Sequence, residues 1–261
     1  MSWWSLYLAG GAAILAMMTL LWVLSVAVRD ASLVDIFWGP GFSLPALVYF
    51  ALGDGDFGRR VLITTLVMIW GLRLGLHLYR RNRGKGEDYR YRAWRRQYGA
   101  AYWWVSFFQV YLLQGALMWL ISAPLLAAQL GPAPALNWLD GLGALVWVVG
   151  FLFEAVGDGQ LARFKADPAN AGRVMDRGLW RYTRHPNYFG DACLWWGYWL
   201  IAGSAPWGWA TAFAPALMTF LLVRVSGVAL LEQNLAERPG YREYVQRTSA
   251  FFPWPPKRDG H

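Results

Sequence analysis

The chain has 261 residues, of which 57% are hydrophobic, and 18 of them are tryptophans. Its mean hydropathy of +0.27 excludes a typical soluble globular protein and indicates an all-α, polytopic membrane helix bundle. The formal net charge of +8 is compatible with nucleic-acid binding, so the positions of the basic residues have to be considered.

Seven apolar segments have lengths close to that of a membrane-spanning helix. In chain order they are Ser5–Val28, Leu33–Leu52, Val61–Tyr79, Val105–Leu130, Asp140–Leu161, Asp191–Ser204 and Pro206–Leu231. The first is preceded by no Lys or Arg and is longer than the apolar part of a signal peptide. It is therefore expected to remain in the mature protein.

Basic residues are distributed unevenly among the segments that join these spans. If successive loops lie on opposite sides, nearly all of the 24 Lys and Arg fall on one side, and the other side has only Arg59 and Arg60. The positive-inside rule then predicts a membrane protein with its N-terminus outside and its C-terminus in the cytoplasm. Because topology accounts for the charge, no nucleic-acid partner is expected.

The chemistry of the spans divides the single integral-membrane domain, residues 1–261, into two halves. The first four spans, all within residues 1–130, are rich in Trp, Phe and Leu with few charges, and this half is expected to form a substrate pocket. Residues 131–261 carry ionisable side chains near the predicted cytoplasmic ends of their spans, where such groups are costly unless they are paired, solvated or functional. This half is expected to bind a cofactor.

The segment Arg181–Asp191 places an Arg-His-Pro-Asn-Tyr motif directly before an apolar run. Holding a helix in lipid does not require this cluster. Its side chains offer charge-assisted donors for phosphate, an amide for a base or nicotinamide, and aromatic faces for stacking. We therefore interpret the motif, and above all Arg184, His185, Asn187 and Tyr188, as part of a ligand site.

Two further pairs of ionisable residues lie in this half. Glu154 and Asp158 are four residues apart, so they share a helical face; they form either an ion-paired helix end or a site in which Asp158 accepts hydrogen bonds from a ribose or a carboxamide. Arg224 and Glu232 are eight residues apart and are expected on nearly the same face. They form either a buried ion pair or a site in which Arg224 faces an interior cavity and binds a pyrophosphate.

In the first half, Asp35 precedes Trp38 and a Gly39–Gly41 segment that is expected to break or kink the helix at Pro40. Asp35 is either a helix cap or a buried carboxyl that donates a proton or hydrogen bond. Polar side chains also interrupt the fourth span, and they either form interhelical hydrogen bonds or contact a substrate. These are Gln109, Tyr111 and Gln114, with Tyr111 as a candidate donor to a carbonyl oxygen.

Several segments of the chain resemble the steroid 5α-reductase-like membrane reductases, in particular their bacterial relatives, with sterol reductases as more distant relatives. The segments are Arg184–Asp191, Trp70–Arg73, Lys85–Asp88, Leu113–Gly115 and Arg238–Tyr241. The resemblance implies a multi-span protein that uses NADPH to reduce a carbon–carbon double bond conjugated to a ketone. It also implies a location in a bacterial inner membrane, contact with membrane lipids, and a hydrophobic, steroid-like substrate, most simply a 3-oxo-4-ene steroid.

The resemblance implies roles for particular residues. The nearest match to the family's catalytic carboxylate is Asp35, and the substrate pocket would include Trp38, Gln109 and Gln114. The implied cofactor set is Asn82, Arg83, Asp158, Lys165, Arg184, His185, Asn187, Tyr188, Arg224, Glu232, Arg238 and Tyr241. Tyr111, a candidate from the polar side chains of the fourth span and not from the resemblance, would assist the carboxylate.

Two other functions remain open. One is an S-adenosylmethionine-dependent membrane methyltransferase of the isoprenylcysteine type, which shares an Arg-His-Pro motif. The other is a lipid transporter without enzymatic activity, which would need no nucleotide. No metal is expected, since the three histidines, His77, His185 and His261, are far apart and show no ligand spacing.

Overall fold

The structure is a computed structural model that describes residues 2–132, 134–225, 228, 232 and 238–257. These residues form helices and no strands, which confirms the predicted all-α class. The helices are α1 (Trp3–Val28), α2 (Leu33–Gly41), α3 (Ser43–Leu52), α4 (Phe57–Asn82), α5 (Tyr89–Tyr98), α6 (Tyr102–Ser106), α7 (Leu113–Ile121), α8 (Ala123–Ala127), α9 (Trp138–Ala166), α10 (Pro186–Ala202), α11 (Phe213–Phe220) and α12 (Tyr241–Arg247). Short 3-10 helices lie at Gly99–Ala101, Pro168–Asn170, Gly178–Arg181 and Gly208–Ala212, and π-helical segments lie at Phe107–Leu112 and Leu221–Val225.

Six helical segments within the described residues are long and apolar enough to cross a membrane, which supports an integral membrane protein. They are Trp3–Val28, Leu33–Leu52, Phe57–Asn82, Tyr89–Ile121, Trp138–Ala166 and Gly208–Val225. The predicted span Asp191–Ser204 corresponds to α10, which has 17 residues and is shorter than these six.

The described residues form two compact units. The N-terminal unit contains the chain up to Asp140 together with Ile201–Ala214. The C-terminal unit contains Gly141–Leu200 and the described residues from Pro215 onward.

In the N-terminal unit, the second predicted span is broken as expected. Pro40 has no backbone N–H to continue the helical hydrogen bonding, α2 ends at Gly41, and α3 begins at Ser43. Because Gly39 and Gly71 have no side chains, α2 and α4 can approach closely. A Cβ on Gly71 would lie 2.6 Å from the carbonyl oxygen of Gly39. This contact fixes α2, which carries Asp35, against α4.

A buried ion pair joins the beginnings of α4 and α9 in the same unit. Arg59 and Asp140 are 0% and 2% exposed, and the Arg59 Nε and Nη2 atoms each lie 2.7 Å from an Asp140 carboxylate oxygen. Removing one partner of such a pair leaves an uncompensated buried charge and costs about 3–5 kcal/mol. Asp140 therefore neutralises one of the two basic residues on the predicted outer side.

In the C-terminal unit, glycines allow α9 and α10 to pack with their backbones close together. A Cβ on Gly190 would lie 2.5 Å from the backbone N of Glu154, and one on Gly157 would lie 3.1 Å from the Pro186 ring. Pro186 is the first residue of α10, a position at which the missing N–H of proline costs nothing. This packing brings the beginning of α10 to the part of α9 that carries Asp158.

Candidate functional site

The carboxylate of Asp35 is the centre of a polar cluster in the N-terminal unit. The hydroxyl of Tyr91 donates to Asp35 Oδ1 at 2.7 Å, and Arg90 Nη2 donates to Oδ2 at 2.8 Å. Asp35 lies in the first turn of α2, but the N-cap position belongs to Ser32. The helix-cap alternative for Asp35 is therefore wrong, because its carboxylate is occupied by two side chains of α5.

The segment before α5 explains how Tyr91 reaches Asp35. Asp88 caps α5 by accepting a 3.0 Å hydrogen bond from the Arg90 backbone, and its own N–H donates to Ser32 Oγ at 2.6 Å. Glu87 accepts a 2.9 Å hydrogen bond from the Ala31 backbone. The beginning of α5 is thereby tied to the beginning of α2.

Arg95 of α5 holds Glu87 in place by a two-point ion pair, in which Arg95 Nε and Nη2 donate to the Glu87 carboxylate at 2.9 and 2.7 Å. Burial alone would raise the pKa of Glu87. The hydrogen bonds from Arg95 and from the Ala31 backbone outweigh burial, so the pKa of Glu87 lies below its usual value. The carboxylate therefore stays charged at neutral pH and holds the connection together.

Tyr111 does not join Asp35 in the structure. It is fully buried in the π-helical segment Phe107–Leu112, and its hydroxyl donates to the carbonyl oxygen of Ala31 at 3.2 Å. The tyrosine at the carboxylate is Tyr91, which is 3% exposed. Tyr91 was not among the predicted site residues, although Asp88 is a typical N-cap residue and indicates a helix whose first turn contains Tyr91.

The residues predicted to line a substrate pocket lie in the same unit. Gln114 lies at the beginning of α7, and its side chain neighbours Tyr91. Trp38 is one helical turn from Asp35 and packs edge-on against Phe42, with ring centroids 5.5 Å apart. Gln109 lies on the π-helical segment that carries Tyr111. Their role in substrate binding stays a prediction.

Asn82 and Arg83, predicted to bind the cofactor, also belong to the N-terminal unit. They lie at the end of α4 and line a cavity of about 170 Å³ with residues that include Asp30 and Ser32. The Asn82 side-chain oxygen accepts a 3.2 Å hydrogen bond from Arg81 Nε. The structure therefore groups these two residues with the Asp35 unit and not with the other predicted cofactor residues.

In the C-terminal unit, three predicted cofactor residues form one network. Glu232 Oε1 accepts from Arg184 Nε at 2.8 Å and lies 3.2 Å from His185 Nε2. Burial would raise the pKa of Glu232, but the hydrogen bonds from His185 and Arg184 outweigh it and lower that pKa to about 2. Glu232 is consequently ionised at neutral pH and binds both basic side chains.

Arg184 also anchors the C-terminal segment. Its backbone N–H donates to the carbonyl of Ser249 at 2.9 Å, and its Nη1 donates to the carbonyl of Thr248 at 2.6 Å. The neighbouring Thr183 hydroxyl donates to the carbonyl of Phe251 at 2.8 Å. Part of the Arg-His-Pro motif thus has a structural function that the sequence alone did not indicate.

Asn187 and Asp158 come together as the next part of this unit. Asn187 Nδ2 donates to Asp158 Oδ1 at 3.1 Å, and Asp158 is 6% exposed. Asn187 Oδ1 is buried, and within the described part of the chain it has no hydrogen-bond partner. A buried acceptor without a donor is unfavourable. It is suited to receive an N–H or O–H from a ligand.

The aromatic residues of the motif surround this network. The Tyr188 ring stacks on the His185 ring, with centroids 5.6 Å apart and planes inclined by 7°. Tyr241 is 4% exposed and lies near Arg184. Its burial and the nearby Glu232 charge raise the pKa of Tyr241, so its hydroxyl remains protonated at neutral pH.

Three residues of the implied cofactor set, Lys165, Arg224 and Arg238, are exposed in the structure. The placement of Arg224 beside an interior cavity, in contact with a pyrophosphate, stays a prediction. Arg224 lies in the π-helical segment Leu221–Val225, where the wider turn shifts side chains away from their α-helical positions. The eight-residue spacing therefore does not pair Arg224 with Glu232, whose carboxylate binds Arg184 and His185 instead.

No group of three or more His, Cys, Asp or Glu side chains that could hold a metal ion occurs among the described residues. The chemistry that the described clusters offer is instead hydrogen bonding and ion pairing. One cluster centres on Asp35 and Tyr91 in the N-terminal unit. The other centres on Arg184, Glu232 and the Asn187–Asp158 pair in the C-terminal unit.

Residues 21–248 match the family described as "Protein of unknown function (DUF1295)". The chain belongs to the DUF1295 family. This is a steroid 5α-reductase-like membrane family, related to membrane oxidoreductases and methyltransferases. The DUF1295 chain is also similar to an uncharacterized protein of Schizosaccharomyces pombe, with 29% identity over 267 aligned residues that cover 89% of this chain and 75% of the relative. No solved structure matches it significantly.

Proposed function

We propose that this protein is an NADPH-dependent reductase that reduces the carbon–carbon double bond of a hydrophobic enone, most simply a 3-oxo-4-ene steroid. The observation that carries the proposal is the hydrogen bond from the Tyr91 hydroxyl to the Asp35 carboxylate. A hydroxyl that is positioned by an ion-paired carboxylate can donate to a ketone and stabilise the enolate oxygen that forms during reduction. Membership of a steroid 5α-reductase-like family supports the same chemistry.

The donors and acceptors of the C-terminal unit fit a dinucleotide. Asn187 Oδ1 would accept from the carboxamide or a ribose hydroxyl, and Asp158 would share that contact. The exposed Arg224 and Arg238 would contact phosphates, because guanidinium groups bind phosphate oxygens in a two-point fashion. When bound, NADPH would supply the hydride for the β-carbon of the enone, and a proton from water would complete the reduction at the α-carbon.

The N-terminal unit would act on the carbonyl end of the substrate. The Tyr91 hydroxyl turns from Asp35 to the ketone oxygen and donates to it, while Arg90 keeps the carboxylate neutralised. Gln114, beside Tyr91, offers the ketone a second donor. These contacts strengthen as negative charge develops on the oxygen, and they therefore lower the barrier to reduction.

We also propose that the protein lies in a bacterial inner membrane, with its N-terminus outside and its C-terminus in the cytoplasm. The uneven distribution of Lys and Arg supports this orientation. The ion pair of Arg59 with Asp140 strengthens it, because it neutralises one of the two basic residues on the outer side.

Mass spectrometry of the small molecules released from purified, denatured protein tests the cofactor proposal. We expect NADP(H). Recovery of S-adenosylmethionine would favour the methyltransferase alternative. A protein that carries no nucleotide and shows no affinity for either compound would favour a lipid transporter.

A further inference from the structure

A cavity of about 420 Å³ lies in the N-terminal unit, where the end of α1 meets the bend between α5 and α6. Ala31 and Arg95, which help to hold α5 against α2, line it, but none of the proposed catalytic or cofactor residues does. Its lining includes two arginines, Arg29 and Arg95, two serine hydroxyls and the Tyr102 phenol, and it includes no carboxylate. This composition favours an anionic ligand.

Tyr102 provides the second observation that indicates a ligand. The residue is 2% exposed, and its hydroxyl is buried without a hydrogen-bond partner among the described residues. The Arg95 guanidinium lies over the Tyr102 ring, 4.6 Å from its centroid, and holds the ring in place. A phenol that is fixed in this way and lacks an acceptor is a ready donor to an anion.

The charge of the cavity comes mainly from Arg29. Arg95 is largely balanced by Glu87, which it binds through Nε and Nη2. Arg29 makes no ion pair within the described part of the chain, and it ends α1 in the left-handed conformation, with a φ of 55°. That conformation is uncommon for residues other than glycine, asparagine and aspartate. Here it places an unbalanced guanidinium beside the cavity.

The aromatic surroundings indicate that the ligand is a lipid. Trp103, which lines the cavity, is 55% exposed and stacks with Trp22, their centroids 6.2 Å apart. Tryptophans in such positions are typical of the membrane–water interface. In the proposed orientation this end of α1 faces the cytoplasmic leaflet, whose anionic lipids attract basic side chains.

We propose that this cavity binds the phosphate of an anionic phospholipid, with Arg29 and Tyr102 as its donors. The site is independent of the proposed reductase activity. Binding there would fix the end of α1 and the α5–α6 bend at the headgroup level of the bilayer.

Native mass spectrometry of the full-length protein in detergent, titrated with phosphatidylglycerol, tests the proposal. Arg29→Asn removes the guanidinium but keeps a residue that tolerates the left-handed conformation. We expect it to weaken phosphatidylglycerol binding about tenfold, in keeping with loss of a charge-assisted hydrogen bond. Arg96→Asn, at an exposed position on α5 that does not line the cavity, is the matched control and should bind like the wild type.

Tyr102→Phe keeps the ring on which Arg95 lies and should weaken binding by a few fold, which provides an independent test if the first variant folds poorly. Equal losses in the Arg29 and Arg96 variants would overturn the proposal, since they would indicate general surface attraction. If the wild-type protein bound phosphatidylcholine with the same acyl chains as tightly as phosphatidylglycerol, that result would also overturn the proposal. Displacement of the lipid by millimolar inorganic phosphate would assign the cavity to free phosphate instead.

Discussion

The Tyr91 hydroxyl donates a 2.7 Å hydrogen bond to the carboxylate of Asp35, a residue 56 positions earlier in the chain. The contact depends on Glu87 and Asp88, which tie the beginning of α5 to Ala31 and Ser32. Contacts between the beginnings of α2 and α5 thus hold the Asp35 carboxylate and the Tyr91 hydroxyl together. That arrangement suits a site whose geometry must be fixed before the substrate arrives.

Asp35→Asn and Tyr91→Phe should each lower the turnover of NADPH-dependent enone reduction by about 100-fold, the typical contribution of a positioned acid or base. Affinity for NADPH should stay near the wild-type value, because neither residue belongs to the proposed cofactor set. Steady-state reduction of progesterone, with cofactor binding measured in parallel, checks both variants.

Tyr111→Phe is the matched control for Tyr91→Phe. It removes a hydroxyl that is equally buried but donates to the Ala31 carbonyl, so turnover should change little. Full activity in both the Asp35 and the Tyr91 variants would remove this pair from the catalytic site. A large loss of turnover only in the Tyr111 variant would restore the role first predicted for Tyr111.

Asn187→Ala should weaken NADPH binding by about tenfold, the cost expected for losing one hydrogen bond of about 1.4 kcal/mol. Calorimetry with NADPH, NADH and S-adenosylmethionine measures the loss of NADPH affinity and also the preference for NADPH over NADH. Asn170→Ala removes an amide of the same unit that bonds only to nearby residues. Equal affinities of the two variants for NADPH would place the nucleotide elsewhere.

The Arg184–Glu232–His185 network should stabilise the protein in a manner that depends on pH. The pKa of Glu232 is lowered to about 2 from an ordinary value of 4.5. The folded state therefore gains stability from the ionised carboxylate above pH 4.5, and this gain is lost as the pH falls from 4.5 toward 2.

Glu232→Gln keeps the size of the side chain and removes its charge. It should lower the midpoint of thermal unfolding at pH 7, and the difference from wild type should shrink as the pH approaches 2. A difference that is constant from pH 7 to pH 3 would contradict the assigned role of the charge.

Topology can be tested with reporters fused to the C-terminus. A reporter that is active only in the periplasm should stay inactive, and one that is active only in the cytoplasm should work, because nearly all Lys and Arg lie on the predicted inner side. The opposite pair of results would invert the orientation and would place the Arg29 cavity on the outer leaflet.

The all-α class, the membrane spans and the break near Pro40 could be predicted from the sequence, because each depends on local composition and periodicity. The partner of Asp35 could not, since it depends on how the segment before α5 folds back onto Ser32. The exposure of Arg224 could not be predicted either, for a different reason. A π-helical turn changes the face on which a side chain lies, and the 3.6-residue period does not reveal such a turn.

The contacts of the Arg-His-Pro motif with distant parts of the chain could likewise not be predicted. The sequence indicated a ligand site from the kinds of side chains present, and the structure brings Asn187 to Asp158 and Glu232 to Arg184. The backbone carbonyls that Arg184 binds at Thr248 and its neighbours carry no signature in the sequence. The role of that arginine in anchoring the tail was therefore not predictable.

The most direct test of the proposed function is to incubate the purified, reconstituted protein with progesterone and to analyse the products by mass spectrometry. With NADPH, we expect consumption of the cofactor and a steroid that has gained two hydrogen atoms at its ring double bond. S-adenosylmethionine should give no product. A methylated lipid or peptide product with S-adenosylmethionine, and no reduced steroid or NADPH consumption, would contradict the account.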